Sequence, residues 1–246
     1  MTDGIRYPVV ELRQYTLHTG ARDALVDLFD REFVEPQEAA GMAVVGQFLD
    51  IDDPERFVWL RGFPDMPRRA EALHRFYGGP VWRRHRDQAN ATMVDSDDVL
   101  LLRPTGARDG FPAATAVRPP VGTARRPASS VVLVTLCHRS TPVDDALTGY
   151  LDREVRPALA ESGAAPLARF ETEYADNTFP ALPVRTGEHV LVWFSRFACL
   201  DHLHDHQRRL ARSRHWQATV LPGLTGLGVT ELRQVRLAPT ARSALR

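Results

Sequence analysis

The chain has 246 residues, 43% of them hydrophobic, and its 31 basic residues balance 31 acidic ones. This is the composition of an ordinary globular protein, and the balanced charge disfavours nucleic acid or an anionic membrane surface as a partner. The chain start lacks a secretory signal pattern, and the longest apolar run, Val131 to Cys137, is too short to cross a bilayer, so a cytoplasmic protein is expected.

The periodicity of apolar residues predicts the elements of the first half in the order strand, helix, strand, strand, helix, strand. The predicted segments are Val9 to Leu17, 21–35, Met42 to Leu49, Phe57 to Phe63, a helical region restarted at Pro80, and Val99 to Arg103. The two strands before and after the turn at 50–54 are close enough to form an antiparallel hairpin.

The second half repeats this pattern. The apolar run around Trp193 echoes that around Trp59, and in each half another tryptophan, Trp216 or Trp82, follows at the same spacing. The offset between the halves grows by about 12 residues between Thr172 and Glu188, which predicts a longer hairpin loop there. Three regions result: a first unit at 7–104, a Pro/Ala/Arg-rich linker at 105–127, and a second, diverged unit at 128–239.

Each unit has the β-α-β-β-α-β order of a ferredoxin-like fold, so an α+β protein with two tandem units is predicted. Such a unit leaves one sheet face uncovered. Tyr15, Trp59 and Phe63 are assigned to that face and are too apolar for water, so the two sheets are expected to pack face to face as a barrel within one chain.

Several stretches of the first half resemble the bacterial NIPSNAP family. They are Glu11 to Tyr15, Phe57 to Phe63, Phe76 to Trp82, His85, Ala89 to Met93, and Asp95 to Pro104. The second half retains only Trp193, Phe197 and Trp216. The resemblance implies a dimeric α+β barrel, a superfamily that includes cofactor-free monooxygenases, haem enzymes and isomerases, while family members also include non-enzymatic binding or trafficking proteins.

Strand alternation places Arg13 beside Tyr15 and Trp59 beside Arg61, so two guanidiniums are expected to share an enclosed space with aromatic rings. Either Glu11 neutralises them as part of the structure, or they hold an anionic ligand. The second half carries Thr135, Cys137 and Ser195 where the first carries Arg13, Tyr15 and Arg61. This asymmetry favours one ligand site, in the first half.

Trp82 is expected to line this site. His85, one helical turn further, and Tyr77 are candidates for moving a proton, although His85 is also typical of an exposed helix surface and Tyr77 of a core-capping residue. His202 and His206 share a helix face, but the pattern lacks the specificity of a metal motif, so no metal is predicted.

The sequence therefore favours a small-molecule-binding protein that needs no cofactor. It is hypothesised to be an oxygenase, isomerase or cyclase acting on an aromatic or polyketide-like anion in bacterial biosynthesis. A non-catalytic binding or scaffold protein of the same fold is the alternative, and homo-oligomers remain possible.

Overall fold

The computed structural model describes residues 7–112, 118–122 and 129–246. Its first half contains five strands and four helices. They are β1 (Val9–Leu17), α1 (Arg22–Leu28), α2 (Val34–Ala39), β2 (Ala43–Asp50), β3 (Arg56–Phe63), α3 (Met66–Tyr77), α4 (Pro80–Asn90), β4 (Met93–Asp95) and β5 (Val99–Pro104). A π-helical segment, Phe29–Phe33, joins α1 to α2. Asp65 caps α3 by accepting a hydrogen bond from the backbone N–H of Arg68.

The second half follows the same order of main elements. They are β6 (Val131–Arg139), α5 (Asp145–Tyr150), α6 (Arg156–Glu161), β7 (Ala168–Thr172), β8 (His189–Phe197), α7 (Leu200–Arg212), α8 (Leu221–Gly226) and β9 (Val229–Pro239). A π-helical segment again lies inside the first helical region, at Leu151–Val155. Gly41 and Gly163 end these regions with φ of 104° and 110°, the left-handed conformation that glycine adopts most easily.

The described strands form a closed, eight-stranded antiparallel barrel in the order β3-β2-β9-β6-β8-β7-β5-β1, closed by pairing of β1 with β3. The short strand β4 pairs with the end of β1 outside this ring. The two halves meet at two seams, β2 with β9 and β5 with β7. The fold is therefore α+β, with helices packed on the outside of the barrel.

The barrel interior is almost entirely apolar and takes side chains from all eight strands. Its members from the first and third strands are Val10, Leu12, Val58 and Leu60, and the second half contributes residues such as Phe170 and Phe194. Tyr15, Trp59 and Phe63 point the other way and pack with the helices of the first half. The prediction that these aromatic side chains face the barrel interior is wrong: alternation along the strands gives the interior to their aliphatic neighbours.

The connection between the halves is partly a core element. Residues 113–117 and 123–127 of the predicted linker lie outside the described residues. Phe111 is 5% exposed and packs in the barrel core, with its ring centroid 4.9 Å from those of Phe170 and Phe194. Asp109 accepts two hydrogen bonds of 2.9 Å from Arg169 of the second half.

No helix among the described residues is long and apolar enough to cross a membrane.

Candidate functional site

The candidate site begins on two neighbouring strands, β1 and β3. Glu11 lies opposite Arg61, and Arg13 lies opposite Trp59, in the antiparallel register of these strands. Alternation sends all four side chains, and that of Tyr15, toward the helices rather than into the barrel. The sheet thus presents one carboxylate and two guanidiniums to the helical layer of the first half.

Helix α3 adds a third guanidinium, from Arg69, to this face. Its Nε donates to Oε1 of Glu11 at 2.6 Å. The other carboxylate oxygen, Oε2, accepts from Arg13 Nη1 at 2.8 Å and from Arg61 Nε at 2.7 Å. We call Glu11, Arg13, Arg61 and Arg69 the Glu11 cluster. All four side chains have 0% solvent exposure.

The Glu11 cluster carries an excess of positive charge. Burial alone would raise the pKa of Glu11, but the charges of Arg61, Arg13 and Arg69 outweigh it and hold that pKa well below its usual range. One carboxylate then faces three guanidiniums, since arginine stays protonated. Two positive charges remain uncompensated within the cluster, and such charges are costly in a low-dielectric interior.

Neutral groups satisfy some of the remaining donors. Arg13 Nε donates to the Tyr15 hydroxyl at 3.0 Å, and Arg61 Nη1 donates to the Tyr77 hydroxyl at 3.2 Å. Within the described part of the chain, Arg69 Nη2 and Trp59 Nε1 are buried with no hydrogen-bond partner. Burial raises the pKa of Tyr15 against the opposing effect of Arg13, so its hydroxyl stays protonated at neutral pH.

An aromatic cavity lies between the sheet and the helices. Its volume is about 30 Å³, close to that of a single water. The lining residues are Tyr15, Leu25, Phe29, Phe33, Gln37, Trp59, Phe76, Tyr77, Trp82, Ala89 and Met93. The π-helical segment supplies Phe29 and Phe33, and Phe29 meets Trp59 edge-on at 4.9 Å.

The structure brings most of the predicted site residues together. Tyr15, Trp59, Tyr77 and Trp82 line the cavity, and Arg13 and Arg61 reach it through their hydrogen bonds to the two tyrosines. Glu11 pairs with the arginines, as expected if they are structural. An excess of positive charge remains, as expected if they bind an anionic ligand.

His85 is placed differently from the other candidates. It is not among the residues that line the cavity; its ring packs edge-on against Phe33, and Nε2 lies 3.6 Å from Glu32 Oε2. Its role in proton transfer stays a prediction.

Sequence reasoning missed Arg69 and the residues that cover it. An available signal was the spacing of Arg69, four residues before Leu73 and seven before Phe76, which places it on the buried face of α3. Asn177 and Thr178, in the loop between β7 and β8, accept hydrogen bonds from Arg69 Nη1. No sequence pattern indicated that this second-half loop reaches the first half.

The second half has no counterpart of the Glu11 cluster. The paired positions of β6 and β8 hold Leu133 opposite Ser195 and Thr135 opposite Trp193. Leu203 stands at the position in α7 that Arg69 takes in α3, four residues after the capping residue. All are buried, and the adjacent layer is packed with apolar side chains. The asymmetry between the halves therefore involves the whole ionic group.

The histidines of α7 do not form a shared metal face. His206 is buried, with Nδ1 2.9 Å from Ser162 Oγ and its ring against Phe197. Burial lowers its pKa. His202 instead borders an outer groove with Arg196 and Arg209. The described residues contain no group of three potential metal ligands.

The donors around the cavity do not fit a haem. Haem iron is held by His, Cys, Tyr, or Met together with His. No described His or Cys lines the cavity, and the hydroxyls of Tyr15 and Tyr77 already accept hydrogen bonds from arginines.

Residues 10–107 match the family model of NIPSNAP. We call this matched segment the NIPSNAP domain. The match ends shortly after β5 and so contains the whole Glu11 cluster. No curated protein sequence matches the chain.

Solved structures extend the comparison to the whole chain. A "Putative monooxygenase" from Fusobacterium nucleatum is 8% identical with a TM-score of 0.59. The alignment covers 95% of this chain and 92% of that protein. A dye-decolorizing peroxidase from Bacteroides thetaiotaomicron is 9% identical with a TM-score of 0.57, covering 99% and 96%. An anthrone oxidase-like protein is 11% identical with a TM-score of 0.56, covering 98% and 94%.

These likenesses concern the fold. Proteins with three different named activities share it at low identity, so the architecture does not determine the reaction. The function of this chain therefore has to be inferred from the side chains of its candidate site.

Proposed function

We propose that the NIPSNAP domain binds one small aromatic ligand with an acidic group, in the space between β1, β3 and the helices of the first half. The observation that carries this proposal is the buried excess of two positive charges in the Glu11 cluster, next to an aromatic cavity. A carboxylate, phenolate or enolate would compensate that charge, and aromatic rings would stack on Trp59, Tyr77 or Trp82.

We propose further that the ligand is a substrate and that no stored cofactor is needed. Loss of a proton from an acidic CH or OH group gives an enolate or phenolate, which the guanidiniums would stabilise. Tyr77, which lines the cavity with its hydroxyl against Arg61, is the candidate for moving that proton. In an oxygenase reaction the enolate passes electrons to O₂, and overall a CH₂ group and O₂ yield a carbonyl and water; an isomerase or cyclase would use the proton transfer alone.

A non-catalytic binding or scaffold role is the second candidate. The observation that favours it is the cavity volume of about 30 Å³, whereas sites for drug-sized ligands span roughly 300 to 1,000 Å³. In that role the Glu11 cluster would orient α3 on the sheet. For an aromatic ligand to bind, the cavity must enlarge, which requires movement of the residues that enclose it.

Turnover of anthrone separates the two roles. Anthrone has an acidic CH₂ group, and its oxidation by O₂ gives anthraquinone and water. The catalytic proposal predicts O₂ uptake matched by anthraquinone formation in air, lost when Tyr77 is replaced by Phe. Stoichiometric binding without any product would support the non-catalytic role.

Both halves are also proposed to be ferredoxin-like units of one tandem protein, placed in the cytoplasm and able to form homo-oligomers. The shared order of the main elements and the π-helical segment in the first helical region of each half, Phe29–Phe33 and Leu151–Val155, support the tandem relationship. Among the described residues, β4 and the π-helical segment Trp216–Val220 each occur in one half alone.

A further inference from the structure

The connection between β7 and β8, residues 173–188, is longer than its first-half counterpart between β2 and β3, residues 51–55. We call residues 173–188 the covering loop. It crosses from the second half to the helices of the NIPSNAP domain. Asn177 Oδ1 and Thr178 Oγ1 each accept a hydrogen bond of 3.0 Å from Arg69 Nη1.

The covering loop also closes over the aromatic side of the site. Phe179 is 8% exposed and stacks on Tyr77, with ring centroids 5.8 Å apart and an interplanar angle of 30°. It meets His74 edge-on at 4.7 Å. Because Tyr77 lines the cavity, its ring connects that cavity to Phe179 of the covering loop.

Arg69 differs from the other two arginines in what its outer nitrogens contact. Arg13 uses its nitrogens on Glu11, Tyr15 and the carbonyl of Ser96, and Arg61 donates to Glu11, Met42 and Tyr77. Arg61 Nη2 makes no hydrogen bond among the described residues, but it lies 2.7 Å from the carboxylate oxygen Oε2 of Glu11. Arg69 commits only Nε to Glu11.

The outer edge of Arg69 therefore lacks an anionic partner. Nη1 is held by the two neutral loop oxygens, and Nη2 is buried with no hydrogen-bond partner among the described residues. That edge, Nη1 and Nη2, matches the geometry by which arginine binds a carboxylate with two parallel hydrogen bonds.

We propose that Arg69 is the residue that recognises the ligand's acidic group, and that Asn177 and Thr178 occupy its place until the ligand arrives. This inference rests on the proposed function. A charged oxygen forms a stronger hydrogen bond with a guanidinium than a neutral oxygen does. An anionic ligand displaces the two loop oxygens from Arg69, and the release of the covering loop gives the space that an aromatic ring needs.

Competition between loop and ligand makes two substitutions act in opposite directions. Thr178→Val keeps the side-chain shape and removes the hydroxyl that accepts from Arg69 and donates to the Met66 carbonyl, so it favours the open loop. Asn177→Asp keeps Oδ1 and places a carboxylate of the protein itself on Arg69. It loses the hydrogen bond from Nδ2 to the Leu182 carbonyl, but the ionic bond to Arg69 is the stronger of the two, so the variant favours the closed loop. Tyr174→Phe changes an exposed side chain of the same loop that contacts His189 and not Arg69, and is the matched control.

Calorimetric titration of the full-length proteins with 1-hydroxy-2-naphthoate tests the inference, and hydrogen exchange of residues 174–187 without ligand reports on loop opening. From the usual energy of a hydrogen bond to a charged group, we expect roughly tenfold tighter binding and faster exchange in Thr178→Val, and weaker binding with slower exchange in Asn177→Asp. Tyr174→Phe should equal the wild type.

The outcomes separate this inference from the proposed function. Binding by the wild type with equal affinities in Thr178→Val and Asn177→Asp overturns the role of the covering loop and leaves the ligand site standing. A failure of the wild type and all three variants to bind this probe or its phenol analogue 1-naphthol overturns both.

Discussion

Glu11 and Arg61 face each other across the β1–β3 ladder, with Glu11 Oε2 2.7 Å from Arg61 Nε and both side chains fully buried. Glu11 is also the carboxylate that Arg13 and Arg69 share. One acidic side chain therefore holds three basic ones inside the protein. The stability of the helical layer depends on that single negative charge.

Removing the charge of Glu11 should destabilise the protein strongly. In Glu11→Gln three buried guanidiniums lose the one carboxylate that the described residues place on all of them. A broken buried ion group costs about 3 to 5 kcal/mol of unfolding free energy. Replacing the whole Glu11 cluster, with Glu11→Leu and Arg13, Arg61 and Arg69 each →Met, should cost far less because no buried charge remains. Urea unfolding measures both. A larger loss in the fourfold variant than in Glu11→Gln would contradict this account.

Asp30, in the π-helical segment of the first half, should lower stability at neutral pH. Burial raises its pKa from 3.8 to about 6, against the opposing hydrogen bond from Thr240 and the charges of Arg242 and Arg118. At a pH between these two pKa values, the folded state binds more protons than the unfolded state. The free energy of unfolding therefore falls as pH rises from about 4 to above 6. This corresponds to at most about 3 kcal/mol.

Asp30→Asn removes that cost and retains an acceptor for Gln47 and Thr240. Its melting temperature should exceed that of the wild type at pH 7.5 and match it below pH 3.8. Asp27→Asn, on the exposed side of α1, is the control and should stay within about 0.5 kcal/mol of the wild type. A gap of equal size at both pH values would show that charge on Asp30 is not the cause.

The linker residue Phe111 should behave as a core residue. Phe111→Ala should cost about 3 to 5 kcal/mol, the usual range for a buried phenylalanine, because it empties the space between Phe170 and Phe194. Val121→Ala, at a 44% exposed position in the same connection, should cost little. Chemical unfolding measures the loss of unfolding free energy in each variant. Equal, small losses in both would place Phe111 outside the core.

The first half alone should not remain a monomer. A chain of residues 1–112 loses the β2–β9 and β5–β7 seams and uncovers aliphatic barrel residues such as Leu12 and Leu60. Two copies can cover each other's exposed faces as the second half does here. Light scattering should report a dimer or larger species, and a folded, soluble monomer would refute the importance of the shared core.

The strands were predictable because alternation and turn residues are local signals. Val9–Leu17 has the bounds that periodicity predicts. The faces of β1 and β3 that line the barrel interior were predicted wrongly. Both faces of these strands carry buried apolar residues, so alternation alone does not tell which face lies inside the barrel and which lies under the helices. On β1 and β3 the interior positions are aliphatic, as at Val10 and Val58, whereas Tyr15 and Trp59 pack beneath the helices.

The sequence predicted candidate-site residues on the strands and helices of the first half, Tyr77 and Trp82 among them, but not those on the loop from the second half. Arg13, Tyr15, Trp59 and Arg61 share a face by alternation, and the exchange for Thr135, Cys137 and Ser195 is visible by comparing the halves. The loop residues Asn177 and Thr178 contact Arg69, which lies 108 and 109 residues earlier in the chain. Phe179 of the same loop stacks on Tyr77. Local periodicity carries no information about such a contact.

Calorimetric titration of 1-hydroxy-2-naphthoate into the wild type and the fourfold Glu11-cluster variant tests the central claim most directly. We expect one site per chain in the wild type and binding at least about tenfold weaker in the variant, which has no guanidinium of the Glu11 cluster left to form a charge-assisted hydrogen bond with the ligand. Thermal melts of the variant are the control for folding. Equal binding by both proteins, or two sites per chain, would contradict an anion site in the first half.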